Sequence, residues 1–317
     1  MGGETMDKQS FYKGEWEWTF VDVSSDQDVA SLHNLPKVKK KWIESLKEEQ
    51  NSSLEMDTSE EGEEFIWGSI VYYQDAEDQS EQTVLHYSLS QETLITSKID
   101  FSLFRATSEE QLMKNMDTAE NAIEGFMILL GEIVASFLQG IDEFENQLQD
   151  LLWRVKSKNN ENVLDEIMDR RHESLVWINL LIPIAEIRSA VQEAFDGEVS
   201  SGRHFRRTHR RITRCQEIID KYDAQLREMV DLETVISSHR GNEIVKTLTV
   251  ITVLFAPVTA WGAIWAMRFE TMPEIKWKFG YPIALIVIAL STVGIYYYLK
   301  KKRWTDSVLK NPENRKF

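Results

Sequence analysis

Residues 248–267 read LTVITVLFAPVTAWGAIWAM, and residues 279–299 read FGYPIALIVIALSTVGIYYYL. Neither run contains an Asp, Glu, Lys or Arg. Each is long enough to cross roughly 30 Å of hydrocarbon as a helix. Soluble helices rarely run so far without a polar face, so the pair predicts a transmembrane hairpin. The link between them, residues 268–278, is too short to be a domain. Lys300, Lys301, Lys302 and Arg303 follow the second run directly and outnumber Lys276 and Lys278 in the link. Basic residues favour the cytoplasmic side, so this basic ring marks a cytoplasmic membrane exit. With two crossings, the N-terminal part lies on the same side. The expected location is the cell membrane, multi-pass, with both termini cytoplasmic.

Working outward, the charge is unevenly spread. The 317 residues carry 36 Lys and Arg against 52 Asp and Glu, a net charge of −16. Residues 1–100 hold 22 acids and 8 bases, whereas residues 101–317 hold 30 acids and 28 bases. The first third is thus an acidic soluble domain, and nucleic acid is excluded as a partner because counterion release needs a basic face. Met1–Ser10 has no apolar stretch behind a basic head and predicts no signal peptide. Cys215 is the single cysteine, which rules out an intrachain disulfide framework and a Cys-ligated zinc site. In a reducing compartment it is a free thiol.

The soluble part reads as two layouts. Residues 11–23 alternate aromatic and polar types and predict a strand, as do Phe65–Tyr73, Thr83–Leu89 and Thr93–Ser97. Asp26–Leu35 and Lys37–Gln50 read as helices, and the acidic, Ser-rich Asn51–Glu64 reads as a loop. After Ser108, which with Gln111 suggests a capping box, the pattern becomes helical. Apolar positions recur at helical spacing over 119–155 and 161–195, with Pro183 as a kink or break. From Arg203 no proline appears until Pro257, so a single helix is expected to run from about 203 into the membrane. Such a helix needs partners along its length. The expected divisions are an acidic α/β domain (1–107), a helical domain and stalk (108–243), a two-helix transmembrane domain (244–304) and a cytoplasmic tail (305–317).

No Gly-rich phosphate loop, His-Glu-x-x-His motif or Gly-x-Ser-x-Gly turn is present, so no catalytic residues and no enzyme activity are predicted. His204 and His209 are five apart, which does not place them together on a helix as metal ligands. Arg203, Arg206, Arg207, Arg210, Arg211 and Arg214 form a basic stripe. It is read either as paired with the acidic first domain or with Glu143 and Glu145, or as a contact for a ligand or lipid phosphate. In the first apolar run and its approach, Asn242, Val245, Leu248, Thr249, Thr252, Ala256, Thr259 and Ala263 step by three or four. They give one face of small, hydroxylated and amide residues. That face suits a pore for a hydrated ion, since Mg²⁺ sheds water reluctantly, and Val245 with Leu248 suits an apolar constriction that gates by dewetting. It equally suits helix packing in a membrane, and periodicity alone leaves both open.

Residues 242–281, NEIVKTLTVITVLFAPVTAWGAIWAMRFETMPEIKWKFGY, resemble the CorA family of magnesium (divalent metal) transport proteins. The resemblance rests on Asn242, Lys246, Leu248 and Thr249, on Pro257 and Thr259, and on Phe269, Glu270, Met272, Pro273, Glu274 and Trp277. It continues through Gly280, Tyr281 and Pro282 to the basic cluster with Trp304. It implies a homopentameric funnel in lipid, the bacterial inner membrane in origin, whose first crossings line a five-fold pore. It also implies transport of divalent cations, Mg²⁺ first and Co²⁺, Ni²⁺ or Zn²⁺ as further candidates. No permanently bound cofactor is implied, and Mg²⁺ is both the transported and the expected regulatory ion. The driving force would be the membrane potential, at about 4.6 kcal/mol for a divalent ion per 100 mV.

The sequence departs from the family at the outer pore mouth. Where the family has Gly-Met-Asn, this chain has Ala266-Met267-Arg268, a degenerate filter, with Glu270 and Glu274 in the outer loop beyond it. Arginine has donors only and stays charged. A divalent ion about 8 Å from each of five arginines in water would meet roughly 5 kcal/mol of repulsion, cut to about 2 by physiological salt. Pairing of Arg268 with Glu270 or Glu274 would cancel that charge. The alternatives are therefore a non-conducting or regulatory relative, or a pore of altered selectivity.

Overall fold

The computed structural model describes residues 7–33, 38–46, 51–60, 62–78, 80–157, 163–195, 202–267 and 277–304. Arg268, Glu270 and Glu274, with the rest of the outer link to residue 276, and the tail from 305 lie outside the described residues. The chain divides into two compact units, Met1–Val230 and Asp231–Phe317.

In the first unit, aromatic and β-branched runs build a six-stranded sheet. Its strands are β1 (Asp7–Phe11), β2 (Trp16–Val21), β3 (Ser53–Asp57), β4 (Phe65–Gln74), β5 (Gln82–Leu89) and β6 (Thr93–Ser97), ordered β1-β2-β6-β5-β4-β3. β2 and β6 are parallel, and the other neighbours are antiparallel. Two expectations are corrected. Residues 11–23 are not one strand, because Tyr12, Lys13 and Gly14 take positive φ (48°, 62° and 93°) and reverse the chain into a hairpin. The Phe11 and Trp16 rings then stack across the turn with centroids 4.8 Å apart. Asn51–Glu64 is not wholly loop either, since β3 pairs with β4 along Ser53–Asp57. Its acids are tolerated at a sheet edge, where one side of the strand faces solvent and charge discourages further pairing. Lys41 Nζ reaches Glu55 at 2.6 Å and Lys39 Nζ reaches Asp57 at 2.7 Å.

Strand alternation sends the core to both faces. Phe65 and Trp67 of β4, with Val21 and Ile95, pack on α1 (Asp26–Leu32) and α2 (Lys40–Ser45) through Leu32, Trp42 and Ile43. Ile66 and Ile70, with Trp16, Trp18, Leu85, Tyr87 and Leu94, face the large helical core. That core is built by α3 (Glu109–Met116), α4 (Ala122–Ser157), α5 (Val163–Ala194) and the beginning of α6 (Arg203–Ala266). Ser108 caps α3 by accepting from Gln111 N–H, while the Gln111 side chain donates to Asn115 instead of reaching back, so only half a capping box forms. α5 runs unbroken through Pro183. Trp16 docks on α4 where the helix has no side chain: a Cβ on Gly125 would lie 2.4 Å from the indole, whose Nε1–H donates to Ala119 C=O at 2.8 Å. Burial pushes the Cys215 thiol up to about 12.

Among the described residues, four helices are long and apolar enough to cross a membrane. The apolar window of α4 is 72% buried within the protein and that of α5 44%, against 11% for α6 and 6% for α7 (Gly280–Lys301). The grease of α4 is spent on the core, whereas that of α6 and α7 is left uncovered in the single chain.

In the second unit, α7 ends in a Schellman turn. Trp304 N–H donates to Leu299 C=O at 3.1 Å and Arg303 N–H to Lys300 C=O at 3.0 Å, with Arg303 at φ 58°. Lys246 Nζ, on α6, donates to the Arg303 carbonyl at 3.2 Å. A cation at a helix C-terminus complements its dipole, and this contact ties the two helices of the unit together.

Two outcomes are expected from thermal unfolding of the full chain in detergent. Gly125→Ala adds a methyl against Trp16 and lowers Tm by roughly 3–8 °C, the effect of about 1–3 kcal/mol of overpacking; a rise would mean that helix propensity alone governs the site. Arg303→Gly relieves a left-handed residue and stabilises by about 1 kcal/mol, whereas Arg303→Val destabilises.

Candidate functional site

The C-terminal half of α6 has two different faces. Val250 and Pro257 are buried, and Trp261 and Trp265, half-buried, stack one turn apart with centroids 5.4 Å from each other. On the other side, Asn242, Val245, Leu248, Thr252, Ala256, Thr259 and Ala263 are all exposed in the single chain, and Thr249 is half-buried. Val245 and Leu248 are each 63% exposed, a large loss for apolar side chains with no partner. Except for Leu248, which sits beside the row, these residues alternate steps of three and four, the spacing of a helix seam. The same spacing extends back to Ser238 and Val235, both exposed. A shallow groove on this face is lined by Thr252, Phe255, Ala256, Thr259, Ala260 and Ala263. Sequence spacing does not single out Phe255 and Ala260, because they fall beside the seam.

The hydroxyls on this face are oriented. Thr249 Oγ1 donates to Val245 C=O at 2.8 Å, Thr252 Oγ1 to Leu248 C=O at 2.9 Å and Thr259 Oγ1 to Phe255 C=O at 3.3 Å. A threonine whose proton is committed to its own helix has only lone pairs left to offer. The face thus presents acceptors, suited to the outward-pointing hydrogens of a hydrated cation. Among the described residues, no group of three or more His, Cys, Asp or Glu side chains is placed to hold a metal ion directly.

At its C-terminal end, Ala266 is the last residue of α6, and Met267 beyond it is 56% exposed. At the other end of the unit, Lys300, Lys301, Lys302 and Arg303 are all exposed around the α7 terminus.

The arginine stripe, in the first unit, resolves differently from either expected acid pairing. Glu143 is taken by Arg105 at 2.7 Å. Of the stripe, only Arg211 finds a carboxylate among the described residues: it reaches Glu132 of α4 at 3.0 Å and the Gly131 carbonyl at 2.7 Å. Glu132 is buried and also accepts from Thr107. No sequence signal links positions 132 and 211, since the contact arises from helix packing. His204 Nε2 lies 3.3 Å from Thr118 Oγ1. Burial, then Arg188 and Arg210, lower the pKa of His209, whose Nδ1 accepts from Arg188 at 2.6 Å. The two histidines thus serve separate contacts.

The fold and this helix match known proteins over nearly the whole chain. The family model described as CorA-like Mg2+ transporter protein matches residues 13–301. The magnesium transport protein CorA of Bacillus subtilis is 38% identical over 305 residues, 95% of each chain. The cobalt/magnesium transport protein CorA of Thermotoga maritima is 30% identical over 145 residues, 44% of this chain and 41% of its own. The solved structure of the CorA magnesium transporter from Methanocaldococcus jannaschii superposes with a TM-score of 0.67 at 17% identity, covering 94% of both chains. A family match over residues 13–301, with 38% identity to one member across 95% of each chain, places the chain in the family of CorA-like Mg2+ transporters.

Proposed function

We propose that the chain transports divalent cations, Mg²⁺ first, through a pore lined by the exposed face of α6 in an assembly of identical copies. The observation that carries this is the row Asn242, Val245, Thr252, Ala256, Thr259 and Ala263, left without cover in a single chain and facing outward with neutral acceptors. The Bacillus subtilis relative, a magnesium transport protein, supports the ion, and the Thermotoga maritima relative, a cobalt/magnesium transport protein, adds cobalt. Five copies, both termini in the cytoplasm and the basic ring Lys300–Arg303 at the inner membrane surface complete the reading. Val245 and Leu248 form the apolar constriction, which conducts when wetted and closes when dry. Mg²⁺ acts as cargo and as the regulatory ion, with no resident cofactor, and membrane lipid covers α7.

Arg268 carries the second reading, in which the scaffold is kept but conduction is lost or its selectivity altered, because a donor-only residue stands at the outer mouth. Flux of Mg²⁺, Co²⁺ and Cl⁻ into liposomes containing the purified chain separates the two. A conducting cation pore shows Mg²⁺ uptake that falls about tenfold in Thr252→Val/Thr259→Val, where hydroxyl acceptors are lost without change of shape. Uptake rises in Leu248→Ser, which wets the constriction. Uptake that appears only in Arg268→Asn, or Cl⁻ flux in place of Mg²⁺ flux, would decide for the second reading.

A further inference from the structure

The uncovered side of α7 changes character along its length. Ile286, Leu290, Val293 and Tyr297 are all exposed in the single chain and step by four and three, and the row continues into exposed Lys301 and Trp304. On the reverse side Leu299 is buried, Thr292 is half-buried, and the Ser291 hydroxyl donates to the Val287 carbonyl at 2.7 Å. The outward row is therefore apolar until Tyr297, then aromatic, then basic.

The row carries a notch. A Cβ on Gly294 would meet nothing within 4 Å, while Leu290, Tyr297 and Tyr298, each a turn away from it, stand 67%, 65% and 63% exposed. At the end of the row Lys300, Lys301, Lys302 and Arg303 are exposed and have no carboxylate partner among the described residues. The turn that ends α7 holds them at one level: Trp304 N–H closes on Leu299 C=O, and Lys246 of α6 holds the Arg303 carbonyl. Leu290 lies about 16 Å from Lys301 at helical rise, the depth of one leaflet of a roughly 30 Å hydrocarbon core.

We infer that this side of α7 holds an anionic glycerophospholipid, with an acyl chain along Leu290 and Tyr297 in the Gly294 notch and the phosphate against Lys300, Lys301 and Lys302. The Tyr297 hydroxyl and the Trp304 indole then sit at headgroup level, where amphipathic rings are favoured. The inference rests on the reading above that α7 lies in the membrane, and deepens it by naming the charge of the lipid. Charge complementarity selects this occupant. Over residues 231–267 and 277–304 the second unit has three acids, Asp231, Glu233 and Glu243, against seven bases. The membrane helices of another copy therefore cannot neutralise the cluster, whereas each base beside an anionic leaflet contributes about fivefold to binding.

Lipid retention by the full chain tests this. The purified protein is equilibrated with mixed micelles of equimolar phosphatidylglycerol and phosphatidylcholine, and bound lipid is counted by mass spectrometry. The expected result is phosphatidylglycerol retained at least about fivefold over phosphatidylcholine. Lys300→Gln/Lys301→Gln/Lys302→Gln should bring the two lipids to parity, whereas Lys300→Arg/Lys301→Arg/Lys302→Arg keeps the preference, with both variants folded by circular dichroism. Gly294→Leu fills the notch and should lower retention of both lipids. Equal retention by the parent chain, or a preference that survives the glutamine variant, overturns the inference. Displacement of the lipid by inorganic phosphate also overturns it and makes the cluster a free-anion site. Phosphatidylcholine vesicles separate the readings. Vesicles that keep the chain through an alkaline wash and take up Mg²⁺, from a chain without lipid preference, overturn this inference and leave the pore reading standing. A chain washed off the vesicles overturns both.

Discussion

A membrane helix whose backbone is satisfied internally can still be incomplete in its side chains, and α6 is: only 11% of its apolar window is buried in the single chain. Its backbone bonds close within the helix, as the absence of water in lipid demands, except at Pro257, which has no N–H for the Val253 carbonyl. Pro257 and Val250 are covered within the unit, and the opposite seam from Val235 to Ala263 is not. Lipid could cover apolar residues there at little cost. Asn242 and three threonines on the same side gain nothing from lipid, and rows of small residues let helices approach one another. The demand for a partner is thus built into one face of one helix.

The first unit is organised around the N-terminal part of α6. Trp16 inserts against Gly125, Thr208 against Gly131, and Arg211 reaches the buried Glu132, so sheet, α4 and α6 are locked by close approach and by a satisfied buried charge. A buried carboxylate without Arg211 would be costly, which makes this contact a register mark between α4 and α6 as much as a source of stability.

Much of this was legible in the residues, and the failures have particular causes. β4, β5 and β6 announce themselves through β-branched and aromatic runs buried on two faces, and α6 through more than fifty residues without a proline and with one glycine, Gly241. β3 was hidden because an edge strand bearing Glu55 and Asp57 looks like an acidic loop until Lys39 and Lys41 are seen beside it. The β1–β2 hairpin was hidden because aromatic alternation continues through the turn, with only Gly14 to betray it. At the site, the three-four spacing gave the exposed seam, but nothing local could show that the threonine protons are already spent on their own carbonyls or that Glu132 claims one arginine of six.

The alternation of three and four along α6 has a geometric consequence. A straight α-helix drifts by about 20° for every seven residues relative to such a pattern, so copies that share the seam must coil around one another with a left-handed pitch. In a coiled ring the bore and the pitch are linked: a slight unwinding of all copies together widens every layer of side chains at once, like the leaves of an iris.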